Sequence, residues 1–250
     1  MLIVTIDLDW ACEPAIDYTL RVMEELQVPV TVFATHHSAA VESRAENLEV
    51  GLHPYFGGND SSHGSTIQQV VEHVMGIPHN LKAFRCHRFA GSNETDTAML
   101  DAGMTISSNV CTDLEMIPPF RNRSGLLEVP IFMEDGGYLH RGHSLRGTSQ
   151  LNRALQADGI KVLLLHPMHF ALNTPHFDFM VNIKKRLSRT EWTGLSSRTL
   201  QDLRWHERGI ADLLIDILKQ TRNADFATVG DITAAAGAAP SQTLTFRRRA

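Results

Sequence analysis

The stretch Leu2-Ile3-Val4-Thr5-Ile6-Asp7-Leu8-Asp9-Trp10 decides the architecture. An unbroken apolar and β-branched run reads as a strand buried on both faces, as in parallel sheets covered by crossover helices. A doubly wound nucleotide-binding sheet carries a glycine-rich turn after such a strand. Here Asp7-Leu8-Asp9-Trp10 stands in that place, which argues against the open sheet. Working outward, further strand-like runs occur at 28–34, 48–52, 82–84, 104–108, 126–132, 160–165 and 226–229. Between them, helical patterns cover 14–26, 66–75, 94–102 and 150–157, and one long amphipathic helix is expected over 197–219. The alternation predicts an α/β barrel of about seven parallel strands. One domain is expected over residues 1–235, with a flexible tail at 236–250.

Composition narrows the function classes. A net charge of -5 gives no general attraction to nucleic acid or to an anionic membrane. No run reaches the roughly 18 apolar residues of a membrane span, and the N-terminal run has no basic leader. Neither nucleic acid nor a membrane is therefore expected as partner, and the cytoplasm is the expected location. Cys12, Cys86 and Cys111 are too scattered for a disulfide framework or a zinc ribbon. The 13 histidines are another matter. They are numerous, they cluster, and imidazole is the commonest metal ligand.

In parallel α/β folds, chemistry collects at the C-terminal ends of strands. Those positions carry Asp7 and Asp9, then His53 with His63 shortly after, Arg85 with His87, Glu134-Asp135, and His166. Alternation along an extended strand would put Asp7 and Asp9 on one side, where they would repel unless a cation lay near. Taken singly, the pair also fits two solvated loop carboxylates. Asp9, His53 and His63 make a carboxylate–imidazole set suited to zinc or a similar divalent ion, provided the Tyr55–Asp60 loop folds back. Arg85 is placed to hold the Asp7 carboxylate, and His166 to act as a general acid. Trp10, Tyr55 and His87 are candidate substrate contacts, and the two large rings fit core packing equally well.

The order of these motifs resembles the polysaccharide deacetylase family (NodB-homology, carbohydrate esterase family four), in its subfamily with Asp-x-Asp in the first motif. The resemblance spans roughly residues 1–235. It implies a distorted, incomplete (β/α) barrel, a carbohydrate substrate and a bound divalent metal ion, zinc by expectation. It makes Asp7 the base and Asp9 a metal ligand. His53 in Gly51-Leu52-His53-Pro54 resembles the motif that supplies two metal-binding histidines four residues apart. Position 57 is glycine, so His63 stands in for the second. Arg85 then braces the base, Glu134 and Asp135 tune the final histidine, and His166 in Leu165-His166-Pro167 is the acid. The implied activity is metal-dependent removal of an acetyl group from an N-acetylated sugar or polysaccharide precursor. Two alternatives stay open: an amide or ureide hydrolase of the same fold acting on a non-sugar, and a non-catalytic carbohydrate-binding relative. The segment 174–195 reads as an insertion or lid, with Lys184, Lys185 and Arg186 as a solvated face.

Overall fold

The structure, a computed structural model, describes residues 1–222 and 225–232; the tail expected at 236–250 lies outside them. In chain order the elements are β1 (Leu2–Asp7), α1 (Glu13–Glu25), β2 (Val30–Ala34), α2 (Ala39–Glu42), β3 (Glu49–Leu52), α3 (Ile67–Met75), β4 (Ala83–Phe84), α4 (Asn93–Asp101) and β5 (Ile106–Ser107). They continue as β6 (Phe120–Arg121), β7 (Leu127–Glu128), β8 (Met133–Glu134), α5 (Asp135–His140), α6 (Ser149–Gln156), β9 (Lys161–Leu165), α7 (Pro167–Leu172), α8 (Phe177–Lys184), α9 (Arg189–Thr193), α10 (Ser197–Leu203), α11 (Ile210–Gln220) and β10 (Phe226–Ala227).

The strands form one sheet in the order β6-β7-β5-β4-β3-β2-β1-β9-β8, with β10 also paired to β1. Among the described strands, only β6 and β7 pair antiparallel. On one edge of β1, β9 pairs from Leu2 to Ile6. On the other edge, β10 takes Leu2 and Ile3 and β2 takes Val4 to Asp7. Strand alternation then divides the core in two. Leu2, Val4 and Ile6 join Leu163 and Leu165 beneath the helices. Ile3 joins Phe33, Ala83, Val162 and Leu164 in a second cluster inside the sheet's curve.

That curve is measurable. Arg85, just after β4, donates from Nη1 to Asp7 Oδ1 at 2.8 Å, although β2 and β3 lie between their strands. In a flat sheet, positions three strands apart would be separated by roughly 14 Å. The contact therefore crosses the interior of a barrel. Gly51 on β3 makes room for it, since a Cβ there would fall 2.7 Å from Ala83 O and 3.1 Å from the Phe33 ring. The gap between β5 and β9 is partly bridged: Ile131 N–H donates to Val110 O, and Phe132 N–H to Val162 O. The result is the distorted, incomplete (β/α) barrel.

The helices follow local rules. Pro14 sits in the first turn of α1, where its missing N–H costs nothing. Ala15, Ile16, Thr19, Leu20 and Met23 make the buried face, which packs mainly on α7. None of the described helices is long and apolar enough to cross a membrane.

Three expectations need correction. The run at 126–132 is not one strand: β7 ends at Glu128, Pro130 interrupts the ladder, and the chain re-enters the sheet as β8. This split, with the short β6, brings the sheet to ten strands. The expected helix over 197–219 is two helices, α10 and α11. Asn173, left-handed at φ 48 after α7, donates to the Trp205 and Glu207 carbonyls and accepts from Ala211 N–H. It pins a turn across what would be helix. Finally, β10 is shorter than the run at 226–229, because the backbone turns helical at Val229.

Candidate active site

Asp7 is 1 % exposed at the end of β1, and Arg85 is fully buried. Every edge of the guanidinium is used. Nε donates to Ser108 O at 3.1 Å, Nη1 to Thr5 Oγ1 and Asp7 Oδ1 at 2.9 and 2.8 Å, and Nη2 to Ser108 Oγ at 2.8 Å. Its flat face lies 4.3 Å over the Phe33 ring. Asp7 Oδ1 is thus fixed, while Oδ2 faces His53 Nδ1 at 3.7 Å.

Asp9 reaches the site by a turn and not by strand alternation, and both carboxylates meet the His53 ring, Asp7 at Nδ1 and Asp9 at Nε2. The strand stops at Asp7, and both Asp9 and Trp10 take left-handed backbone conformations, φ 45 and 53. The turn carries the Asp9 carboxylate outward, where Oδ1 meets His53 Nε2 at 3.0 Å and His87 Nδ1 at 2.9 Å. Burial alone would raise the Asp9 carboxyl; the His53 and His87 contacts outweigh it and hold the group well below the usual range. Asp9, His53 and His87 form a group able to hold a metal ion. They also fit one chemically. With bonds of about 2.1 Å, two donors on a tetrahedral ion lie roughly 3.4 Å apart, a few tenths of an ångström more than the 3.0 and 2.9 Å separations here. His53 Nδ1 is buried without a hydrogen-bond partner and faces Asp7, as the second nitrogen of a ligating imidazole commonly faces a carboxylate.

His63, expected as the second histidine, is not in this group; His87, expected to touch substrate, is. The loop does fold back, so His63 is buried close by. Its Nδ1, however, accepts from Tyr55 N–H at 3.1 Å, and its ring stacks on His73 with centroids 4.6 Å apart. Burial, helped by His73, pushes it down to about 4.

On the neighbouring strand end, Asp135 Oδ1 contacts His166 Nδ1 at 2.6 Å and Oδ2 accepts the His166 N–H at 2.7 Å. Gly136 N–H adds a third bond at 2.7 Å. Burial would lower His166, but the Asp135 charge and hydrogen bond prevail and raise it well above the ordinary value. His166 Nε2 lies 3.6 Å from Asp9 Oδ2. Glu134 is half-buried, and burial raises its carboxyl. It lines a cavity of about 580 Å³ together with Asp9, His87 and His166. Trp10 and Tyr55 are partly exposed, edge-on to His87 at 5.0 and 4.8 Å, and line a second cavity of about 350 Å³ beside Asp9.

The segment 174–195 forms α8 and α9, which lie over both cavities through Met180, Lys184 and Trp192, among others. No motif marked these residues individually; the segment was expected only as an insertion or lid. His169 follows the same strand end as His166, with no role expected of it. It is buried beside His166, and burial pushes it down to about 4.

A family model described as WbmS-like polysaccharide deacetylase matches residues 4–184. Among solved structures, the chain is similar to a Bordetella bronchiseptica protein provisionally described as a polysaccharide deacetylase involved in O-antigen biosynthesis. The TM-score is 0.75 at 22% identity, covering 88% of this chain and 90% of that one. It is also similar to a Mycobacterium smegmatis protein provisionally described as a polysaccharide deacetylase. There the TM-score is 0.54 at 16% identity, covering 100% of this chain and 93% of that one. No curated protein matches the chain.

Proposed function

Because the chain belongs to the WbmS-like polysaccharide deacetylase family, we propose that it removes the acetyl group from an N-acetylated sugar of a polysaccharide precursor, with a divalent cation, zinc by preference, held by Asp9, His53 and His87. The observation that carries this reading is the convergence of two imidazoles on one Asp9 oxygen, between an arginine-held carboxylate and a carboxylate-held histidine. A bound divalent cation would supply Lewis-acid polarisation of the acetyl carbonyl and of water. The chain supplies the rest. Asp7 Oδ2, free of Arg85, takes the proton of the attacking water. His166, carrying Asp135 on Nδ1, presents Nε2 to the cavity and gives its proton to the departing amine. Acetate and the free amino sugar leave. Glu134 faces the same cavity as an unengaged carboxyl, placed to accept from a substrate hydroxyl.

The test pairs metal analysis of the purified protein with acetate release from N-acetyl sugars. Wild type is expected to hold one ion per chain and His87→Ala to lose it, while Asp7→Asn keeps the ion and loses turnover by about 10²–10⁴-fold. Full metal content in His87→Ala sinks the ligand assignment, and full activity in Asp7→Asn sinks the base.

A further inference from the structure

The centre opens on two cavities of unlike charge, and Asp9, His87, Arg88, Lys184 and Trp192 line both. The larger one, roofed by Met180 and Val181 of α8, sets the carboxyls of Asp9 and Glu134 against Arg88 and Lys184, so acids and cations balance there. The smaller one, between the Trp10/Tyr55 wall and α9, holds three cations, Arg88, Lys184 and Arg189, and a single acid, Asp9. That acid is already engaged by His53 and His87. Among the described residues, none of the three cations has a carboxylate within ion-pair distance. Each lies over an aromatic ring instead: Arg88 over Tyr55 at 5.9 Å, Lys184 over Trp192 at 5.5 Å, and Arg189 over Trp10 at 5.3 Å. A ring face holds a cation in place without neutralising it. Lys184, Lys185 and Arg186 are all exposed, as the expected solvated face requires; of the three, only Lys184 borders the cavities. In a chain of net charge -5, three unneutralised cations on one cavity beside the reacting centre select for negative charge.

We propose that the acetylated sugar carries an oxyanion, a phosphate or diphosphate ester or a sugar carboxylate, and that Arg88, Lys184 and Arg189 bind it in the smaller cavity while the acetamido group lies toward His166. This rests on the deacetylase reading. The acetamide occupies the side with the acid and base, and the charged substituent the side with the cations.

The experiment compares matched substrates: a neutral methyl glycoside of N-acetylglucosamine, its 1-phosphate, its uridine diphosphate ester, and the corresponding uronic acid. Wild type is expected to prefer one or more anionic forms by about 10- to 100-fold in kcat/KM, the worth of one or two charge-assisted hydrogen bonds. Lys184→Gln and Arg189→Gln should collapse that ratio through KM, and Lys185→Gln should leave it intact. Phosphate esters outrunning the uronate identify the phosphate source, and the reverse order the carboxylate. Equal kcat/KM on neutral and anionic forms, or equal losses on both in the Gln variants, overturns the proposal. If no sugar yields acetate, the deacetylase reading fails separately. Calorimetry then decides the anion site: the 1-phosphate must bind wild type and bind the Lys184→Gln/Arg189→Gln protein at least about tenfold more weakly, and undiminished binding or none refutes it.

Discussion

The Asp7–Arg85 pair crosses the barrel interior, so its removal tests the fold and the site together. Arg85→Met keeps an unbranched apolar stem but deletes all four hydrogen bonds and leaves Asp7, at 1 % exposure, with a buried charge and no cation on Oδ1. Breaking a buried pair from one side costs about 3–5 kcal/mol. For a domain of this size that is a melting decrease of roughly 10 °C. Asp7→Asn is milder. Arg85 keeps Thr5 Oγ1, Ser108 O and Ser108 Oγ, so the loss is about 1–3 kcal/mol. In the double variant neither charge is stranded. It should cost at least about 2 kcal/mol less than the sum of the singles. Urea denaturation followed by circular dichroism, in chelator so that metal does not contribute, measures all three. Additivity within about 0.5 kcal/mol would mean the two groups do not act as a pair, and the interior contact would lose its meaning.

Other outcomes follow from the same geometry. Asp135→Asn removes the charge that raises His166. His166 as the proposed general acid would work only while protonated, so the alkaline limb of kcat/KM should move down by about 1–3 pH units; a limb that stays put while kcat falls reduces Asp135 to positioning. The pair's contribution to stability is present below the unfolded histidine value and is lost as pH rises through the raised folded one. His169 behaves oppositely. Held down to about 4 by burial, it stays neutral where the unfolded chain takes up a proton, so stability falls between pH 6.5 and 4 by roughly 3 kcal/mol. His169→Gln should flatten that slope in urea melts across the range, and an unchanged slope assigns it elsewhere. Gly209→Ala would put a Cβ 2.0 Å from Asn173 O, at the turn between α10 and α11. Thermal melts should show a loss of at least about 1–3 kcal/mol, and a neutral result removes the close approach as the reason for glycine there.

The barrel was legible in the sequence because buried parallel strands leave unbroken apolar runs. Strand ends then put Asp7, His53, Arg85, Asp135 and His166 on one rim. The Asp135–His166 and Asp7–Arg85 contacts needed only that rim and a plausible charge pairing. Two things did not show. Strand alternation placed Asp9 beside Asp7, and nothing in the residue types of Asp9 and Trp10 announced the left-handed turn that carries Asp9 to His53 and His87. The same blindness hid His87, which joins Asp9 and His53 where His63 was expected; His63 lies buried nearby with its Nε2 unpartnered among the described residues. His87 lies two residues beyond Arg85 and reaches Asp9 only because the sheet curls, a long-range fact that local spacing does not carry. The break at Asn173 was hidden in the same way, since apolar residues keep helical spacing across α10 and α11.

Two of the three residues assigned to the cation sit at doubled left-handed bends: Asp9 with Trp10, and His87 just before Arg88 and Phe89, at φ 58 and 54. Non-glycine residues hold such conformations only where the surroundings impose them, at about 1–3 kcal/mol each. The proposed ligands thus sit on bends that the fold itself imposes. A cation held there as proposed would meet a cradle already set by the fold, and its binding energy would not be diverted into closing a loop. Metal loading should then raise the melting temperature by mass action alone, with the denaturant slope and the backbone of the metal-free protein unchanged.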